Sequence, residues 1–271
     1  MSLFERFAAA LRAEQPVALA TVIDGPNVGA KILVGAGGEP EGTLGHPELD
    51  RVVTRDALAE MEAAASGIRH YGPEGQTTPE DLIDQPTVRV FIESHGPPPQ
   101  MWIFGAVDFT AALARVAKVL GYRVTVCDAR EVFATRRRFP MADEVLVTWP
   151  SPVFDDRGDT LGPRDAVCVL THDSKFDVPA IVGALATRVG YIGVMGSRRT
   201  HDQRMARLAE AGVTDAVELD RLHSPIGLDI GARTPEETAI SICAEIIARR
   251  TGRVTPSLRD SSGPIHQART A

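Results

Sequence analysis

Lysine is scarce in the 271-residue chain: Lys31, Lys118 and Lys175 are three of its 29 basic residues. No obvious Tyr/Lys or Cys/His catalytic pair offers itself. Cysteine is equally sparse. Cys127, Cys168 and Cys243 are far apart and form no CxxC pair, which argues against a disulfide framework or a zinc ribbon. Each lies in an apolar run, as expected of core thiols in a reduced, cytoplasmic protein. No apolar stretch approaches the ~20 residues a membrane helix needs. The start, Met1 to Arg6, lacks a basic region followed by an apolar core, so no signal peptide is read there. Positive charge is in deficit: the formal net charge is -7 and the pI about 5.5. That excludes a global attraction for nucleic acid. What remains, 44% apolar residues and a mean hydropathy of -0.05, is ordinary globular composition.

The pattern divides the chain. Ser2 to Glu5 reads as a capping box, and Phe4, Phe7 and Leu11 carry a first helix to about Glu14. Strands are predicted over Val17–Ile23, Lys31–Val34 and Val88–Ile92, and a helix from Pro47 to Ala65. Residues 1–95 thus read as a small α+β domain. His95-Gly96-Pro97-Pro98-Pro99-Gln100 is the best linker, because consecutive prolines can join neither a helix nor a central ladder. Beyond it, strands at Trp102–Phe104, Arg123–Cys127, Ala166–Leu170 and Tyr191–Met195 alternate with helices at Phe109–Leu120, Val178–Thr187 and Arg198–Ala211. Such alternation predicts a Rossmann-like α/β domain over 96–252, with helices on both faces of a parallel sheet. Thr234-Pro235-Glu236-Glu237 caps a last helix to about Arg250, with Ala239, Ile240, Cys243 and Ile247 as its apolar face. Residues 253–271 have no period and read as a mobile tail.

Four segments carry possible chemistry. Gly105-Ala106-Val107-Asp108 runs from a strand into a helix, with Asp128 ending the next strand. This is the skeleton of a dinucleotide-binding unit: phosphate on the helix N-terminus, the acid on a ribose hydroxyl. GxGxxG itself is not present. Val107 narrows the approach of a pyrophosphate and Asp108 adds a repelling charge, which weakens the case for an NAD(P)-dependent oxidoreductase. In the second segment, Gly193 and Gly196 lead to Ser197, Arg198 and Arg199. Arginine in a first helical turn opposes the helix dipole unless an anion is present, so this is either a phosphate site or a plain serine cap with solvated arginines. The third, Leu222 to Gly231 with Pro225 and Gly227, is either a cleft-lining loop or a structural crossing. The fourth, Thr171-His172-Asp173, follows a buried-type strand where α/β ligands usually lie, though a histidine bonded to loop backbone reads as well. His46-Pro47-Glu48 matches half of the zinc-deaminase signature, but the Pro-Cys-x-x-Cys half is missing. Arg136-Arg137-Arg138 reads as a solvated basic run, or as a face for an anionic ligand or partner.

Together these motifs resemble the XdhC/CoxI family, accessory factors of xanthine dehydrogenase and related molybdenum hydroxylases. The resemblance rests on Pro16 to Val22, Gly29 to Val34, Arg123 to Arg130, Phe139-Pro140 with Ala142-Asp143, Thr171-His172, Tyr191 to Gly193 with Gly196 to Arg199, and Pro225 to Ala232 through Ile240. It implies an N-terminal family domain, a Rossmann domain and a homodimer. It further implies a chaperone that binds molybdenum cofactor (molybdopterin), helps it gain its terminal sulfur from a donor such as a cysteine desulfurase, and hands it to the hydroxylase. The pterin phosphate would then occupy the anion site at Ser197 and Arg198. Two departures stand out. The usual Gly-Ala-Gly-His loop is here Gly105-Ala106-Val107-Asp108. The N-terminal glycine-rich stretch, here Gly42 to Glu48, lacks the family's cysteine. Loss of ligand binding, leaving a scaffold, is the third reading.

Overall fold

The structure, a computed structural model, describes residues 2–76, 87–257 and 259. Most of the tail expected at 253–271 therefore lies outside the described residues. The chain divides into two compact units, Met1–Pro98 and Pro99–Ala271.

The first unit is a five-stranded antiparallel sheet with one helix on each face. Its elements are α1 (Leu3–Arg12), β1 (Val17–Asp24), β2 (Lys31–Gly35), β3 (Pro40–Thr43), α2 (Pro47–Ala63), β4 (Gly67–Tyr71) and β5 (Val88–His95), in the order β3-β2-β1-β5-β4. Alternation in β1 sorts the two cores. Ala18, Ala20 and Val22 face α2, while Val17 and Leu19 face Phe7 of α1. The Ser2–Glu5 capping box forms in both directions. Helix α2 runs to Ala63, two residues short of the expected Ala65, and is capped by Ala64, which takes up the left-handed conformation at φ 44°.

The second unit is a parallel sheet between two helical layers. Its strands are β6 (Gln100–Phe104), β7 (Arg123–Asp128), β8 (Glu144–Val147), β9 (Ala166–Val169), β10 (Tyr191–Val194) and β11 (Leu222–His223). They lie in the order β11-β10-β9-β6-β7-β8. Counted from β6 this is 3-2-1-4-5-6 read from the β8 edge, the dinucleotide-fold order, with its switch point between β6 and β9. The helices are α3 (Asp108–Val119), α4 (Pro150–Arg157), α5 (Ser174–Leu185), α6 (Arg198–Glu210), α7 (Ala216–Leu219) and α8 (Pro235–Thr251). Met101 and Ile103 point to α3 and α8, and Trp102 and Phe104 to α4 and α5. Buried on both faces, the central stretches Met101–Phe104 and Ala166–Val169 are apolar at every position.

Several expectations shift. The pattern assigned no element between Asp128 and Ala166, where β8 and α4 lie. Helix α5 begins four residues early, because the Asp173 side chain accepts from the Lys175 N–H and sets the start. Pro179 then sits inside the helix. On α8 the buried stripe is Ala239, Ile242, Cys243 and Ile246, the i, i+3, i+4, i+7 set, while Ile240 and Ile247 are exposed.

Candidate functional site

The chemistry-bearing motifs of the second unit collect at one place, the carboxyl edge of its parallel sheet. Gly105 follows β6, Asp128 ends β7, Thr171 and His172 follow β9, Gly196 to Arg198 follow β10, and Pro225 and Gly227 follow β11. Parallel strands force this arrangement, since every strand-to-helix loop leaves from the same edge.

Gly105 is held at φ 120°, and a Cβ there would lie 2.4 Å from Thr171 Cγ2. Glycine is thus required by the close approach of the β6 and β9 loops. Thr110 is fully buried, and its hydroxyl donates to the Gly105 carbonyl. Asp128 is 2% exposed. Its Oδ2 accepts from the Ala106 N–H at 2.7 Å and from Arg130 Nη2 at 2.7 Å; its Oδ1 accepts from Arg130 N and Nε, both at 2.9 Å. Burial pushes this carboxyl up, but the bonds from Arg130 and the two backbone N–H groups outweigh it and hold the pKa below the usual range. Arg138 donates to the Ala106 carbonyl at 2.9 Å and lies 3.4 Å from Asp108, so the glycine loop is braced from both sides. Arg136 likewise donates to the Ala142 and Asp143 carbonyls. Two of the three arginines of that run therefore bond backbone carbonyls, Arg136 while remaining exposed.

The second segment is a helix start. The Ser197 hydroxyl accepts from the Thr200 N–H at 3.2 Å and caps α6. Gly196 stands at φ 150°. Arg198 and Arg199 are exposed and have no side-chain partner among the described residues. Gly193 has a different role: a Cβ there would meet Ile226 Cδ1 at 2.4 Å, so it makes room for the β11 loop. That loop turns through the cis Ser224–Pro225 bond, and Pro225 is exposed. Gly227, at φ 94°, donates its N–H to Glu245 Oε2 at 2.9 Å. His172 is exposed at the end of β9.

Three buried charges that the sequence pattern does not single out tie these loops together. Thr171 donates to Asp177, and Asp177 pairs with Arg204 at 3.8 Å. Arg204 is 3% exposed and donates to Ser224 Oγ at 2.9 Å and the Met195 carbonyl at 2.8 Å. One guanidinium thereby joins the loops after β10 and β11 to the helix after β9. Burial raises the Asp177 pKa, against the Thr171 bond and Arg204. Glu245 of α8 accepts from Tyr191 Oη at 2.6 Å as well as from Gly227. The Tyr191 ring stacks on His223 at 4.8 Å, and burial lowers the His223 pKa.

The cysteines stand apart from this chemistry. Cys127 points its Sγ at the Thr148 carbonyl, and burial pushes its thiol up to about 12, as it does for Cys243. Cys168 is pushed well above its ordinary value. Thiols so placed hold little thiolate at neutral pH. Alkylation of the native protein, followed by mass spectrometry, is expected to label all three slowly. Fast labelling of Cys127 would contradict this.

Residues 101–246 match the model of the XdhC Rossmann domain, and residues 10–72 that of the XdhC and CoxI family. A probable xanthine dehydrogenase subunit from Bacillus subtilis is 34% identical over 60% of this chain and 47% of its own length. The molybdenum cofactor insertion chaperone PaoD of Escherichia coli is 33% identical over 31% of this chain and 26% of its own. The chain spans about half the length, or less, of the relatives it matches. A crystal structure of a xanthine dehydrogenase from Bacillus halodurans has the same fold, with TM-score 0.52 and 22% identity over 95% of this chain and 98% of that one.

Proposed function

The chain belongs to the XdhC and CoxI family, and from that premise we propose that it is an accessory factor for a xanthine dehydrogenase-type molybdenum hydroxylase, carrying molybdenum cofactor on its second unit. The likeness to an insertion chaperone supports the cargo. The observation that carries the reading is the start of α6: two guanidinium groups unpaired among the described residues, and free helix N–H groups beside a left-handed glycine. Charge of one sign, placed against the helix dipole with nothing to balance it, suits an anionic ligand. A pterin phosphate provides that anion. Among the described residues no three His, Cys, Asp or Glu side chains cluster as metal ligands. When bound, the cofactor supplies the molybdenum centre that the client enzyme uses. The chain's own residues orient and shield it. With its described thiols buried, sulfur passes from an outside donor to the bound cofactor without a cysteine relay on this chain.

The strand order favours a second reading, hydride transfer with NAD(P). The glycine loop counts against it. Val107 occupies the place of the second glycine, and both oxygens of Asp128 already accept bonds from within the chain.

The test is equilibrium titration with purified molybdenum cofactor. Arg198→Ala is expected to weaken binding by about 1.5–3 kcal/mol, the loss of a charge-assisted hydrogen bond. Equal affinities of variant and wild type would overturn the assignment of the anion site.

A further inference from the structure

Two large aromatic side chains are partly exposed at the carboxyl edge of the parallel sheet. Phe133, 41% exposed, is covered: the Arg130 and Arg138 guanidinium carbons lie 4.6 and 5.5 Å from its ring centre. Trp149 is different. It is the second residue after β8 and the one before α4, and half of it is exposed. Its ring contact is with Phe176 in the first turn of α5, at 5.8 Å between centroids. Phe176 in turn lies 6.3 Å from Phe104, the residue before Gly105. The indole is thus buttressed from the core, at the mouth of the β9–α5 loop that carries His172. Its N–H has no hydrogen-bond partner among the described residues.

A buttressed aromatic with open surface loses little conformational freedom when a flat ligand stacks on it. An unengaged indole N–H adds one donor for a ring acceptor. We propose that Trp149 is the stacking platform for the planar heteroaromatic ring of the ligand, of the pterin class. This rests on the reading that α6 holds the ligand's anionic end. Phosphate and ring are then recognised at different loops of one edge: charge after β10, the flat surface after β8. Inorganic phosphate would use only the first.

The whole chain can be labelled with 5-fluorotryptophan. With two tryptophans it gives two fluorine signals, and Trp102, 2% exposed, serves as the internal reference. The probes are neopterin, neopterin monophosphate and inorganic phosphate. The Trp149 signal is expected to move with both pterins and to stay in place with inorganic phosphate, while Trp102 stays in place throughout. Trp149→Ala is expected to weaken neopterin monophosphate binding about tenfold, within the range for loss of an aromatic stacking partner, and to leave phosphate affinity unchanged. Trp149→Phe should retain most of the binding, which a loss of folding would not allow. A Trp149 signal unmoved by either pterin overturns the proposal. So does neopterin monophosphate binding that depends on Arg198 and is as tight in Trp149→Ala as in wild type. If instead Arg198→Ala binds phosphate like the wild type while the Trp149 signal still follows neopterin, the anion site fails and the stacking platform stands.

Discussion

Arg204→Ala is expected to destabilise the protein by about 3–5 kcal/mol, the cost of leaving one member of a buried ion pair without its partner. Three groups lose their donor together: the Asp177 carboxylate, the Ser224 hydroxyl and the Met195 carbonyl. Asp177 is 4% exposed, so water does not readily replace the guanidinium. Its pKa is already raised by burial. Removing Arg204 raises it further. An acid whose folded pKa lies above its unfolded value destabilises the fold above that pKa, and the penalty fades as pH falls and the group takes up a proton. The loss should therefore be larger at pH 8 than at pH 5. Urea unfolding at both pH values measures it. A variant within 1 kcal/mol of wild type at pH 8, or one with no pH dependence, would show that the pair is not charged.

The second large effect is expected at Glu245. Glu245→Ala leaves the Tyr191 hydroxyl and the Gly227 N–H without their acceptor, at about 1–3 kcal/mol for each buried unsatisfied group. The Gly227 end matters more for function, because α8 grips this loop at two successive residues. Ser241 Oγ donates to the Leu228 carbonyl at 2.6 Å, one helical turn before Glu245. Loss of Glu245 should free the loop carrying Pro225 and Gly227 while α8 stays in place. Hydrogen exchange is expected to accelerate at the Gly227 amide and to change little through α3. Glu245→Gln keeps one oxygen acceptor and should recover part of the protection. Unchanged exchange at Gly227 in Glu245→Ala would contradict the clamp.

The sequence carried the architecture of the second unit because its central strands are largely apolar and its helices are punctuated by strong signals. Ser197 and Thr234 cap where the pattern places them. Elements without such signals were lost. Strand β8 has four residues, and α4 opens with Pro150 and Pro152 in its first turn, which reads as loop. The candidate loops were legible one by one, from glycines and strand ends. Their bracing was not. Asp177, Arg204 and Glu245 lie on helices, where a charge is read as facing solvent until the partner elements are known. The partners of Arg204 come from four places in the chain: Asp177, Met195, Ser224 and, through Asp177, Thr171. Asp128 shows the same limit. Its position at the end of β7 marks a ribose ligand in an ordinary dinucleotide fold. Only the fold shows that Arg130 and the Ala106 N–H already fill its oxygens. Gly193, which reads as part of a ligand loop, also makes room for Ile226, a packing role visible only in the fold.

On the proposed function, the carboxyl edge of the parallel sheet holds the cofactor. Hydrogen exchange of the whole chain, with and without purified molybdenum cofactor, locates the bound ligand directly. Slowed exchange is expected at 196–200, at 105–108, at 148–149 and in the loops at 171–174 and 224–228, with the first unit unchanged. Protection confined to the first unit, or to the opposite edge of the parallel sheet, would contradict it.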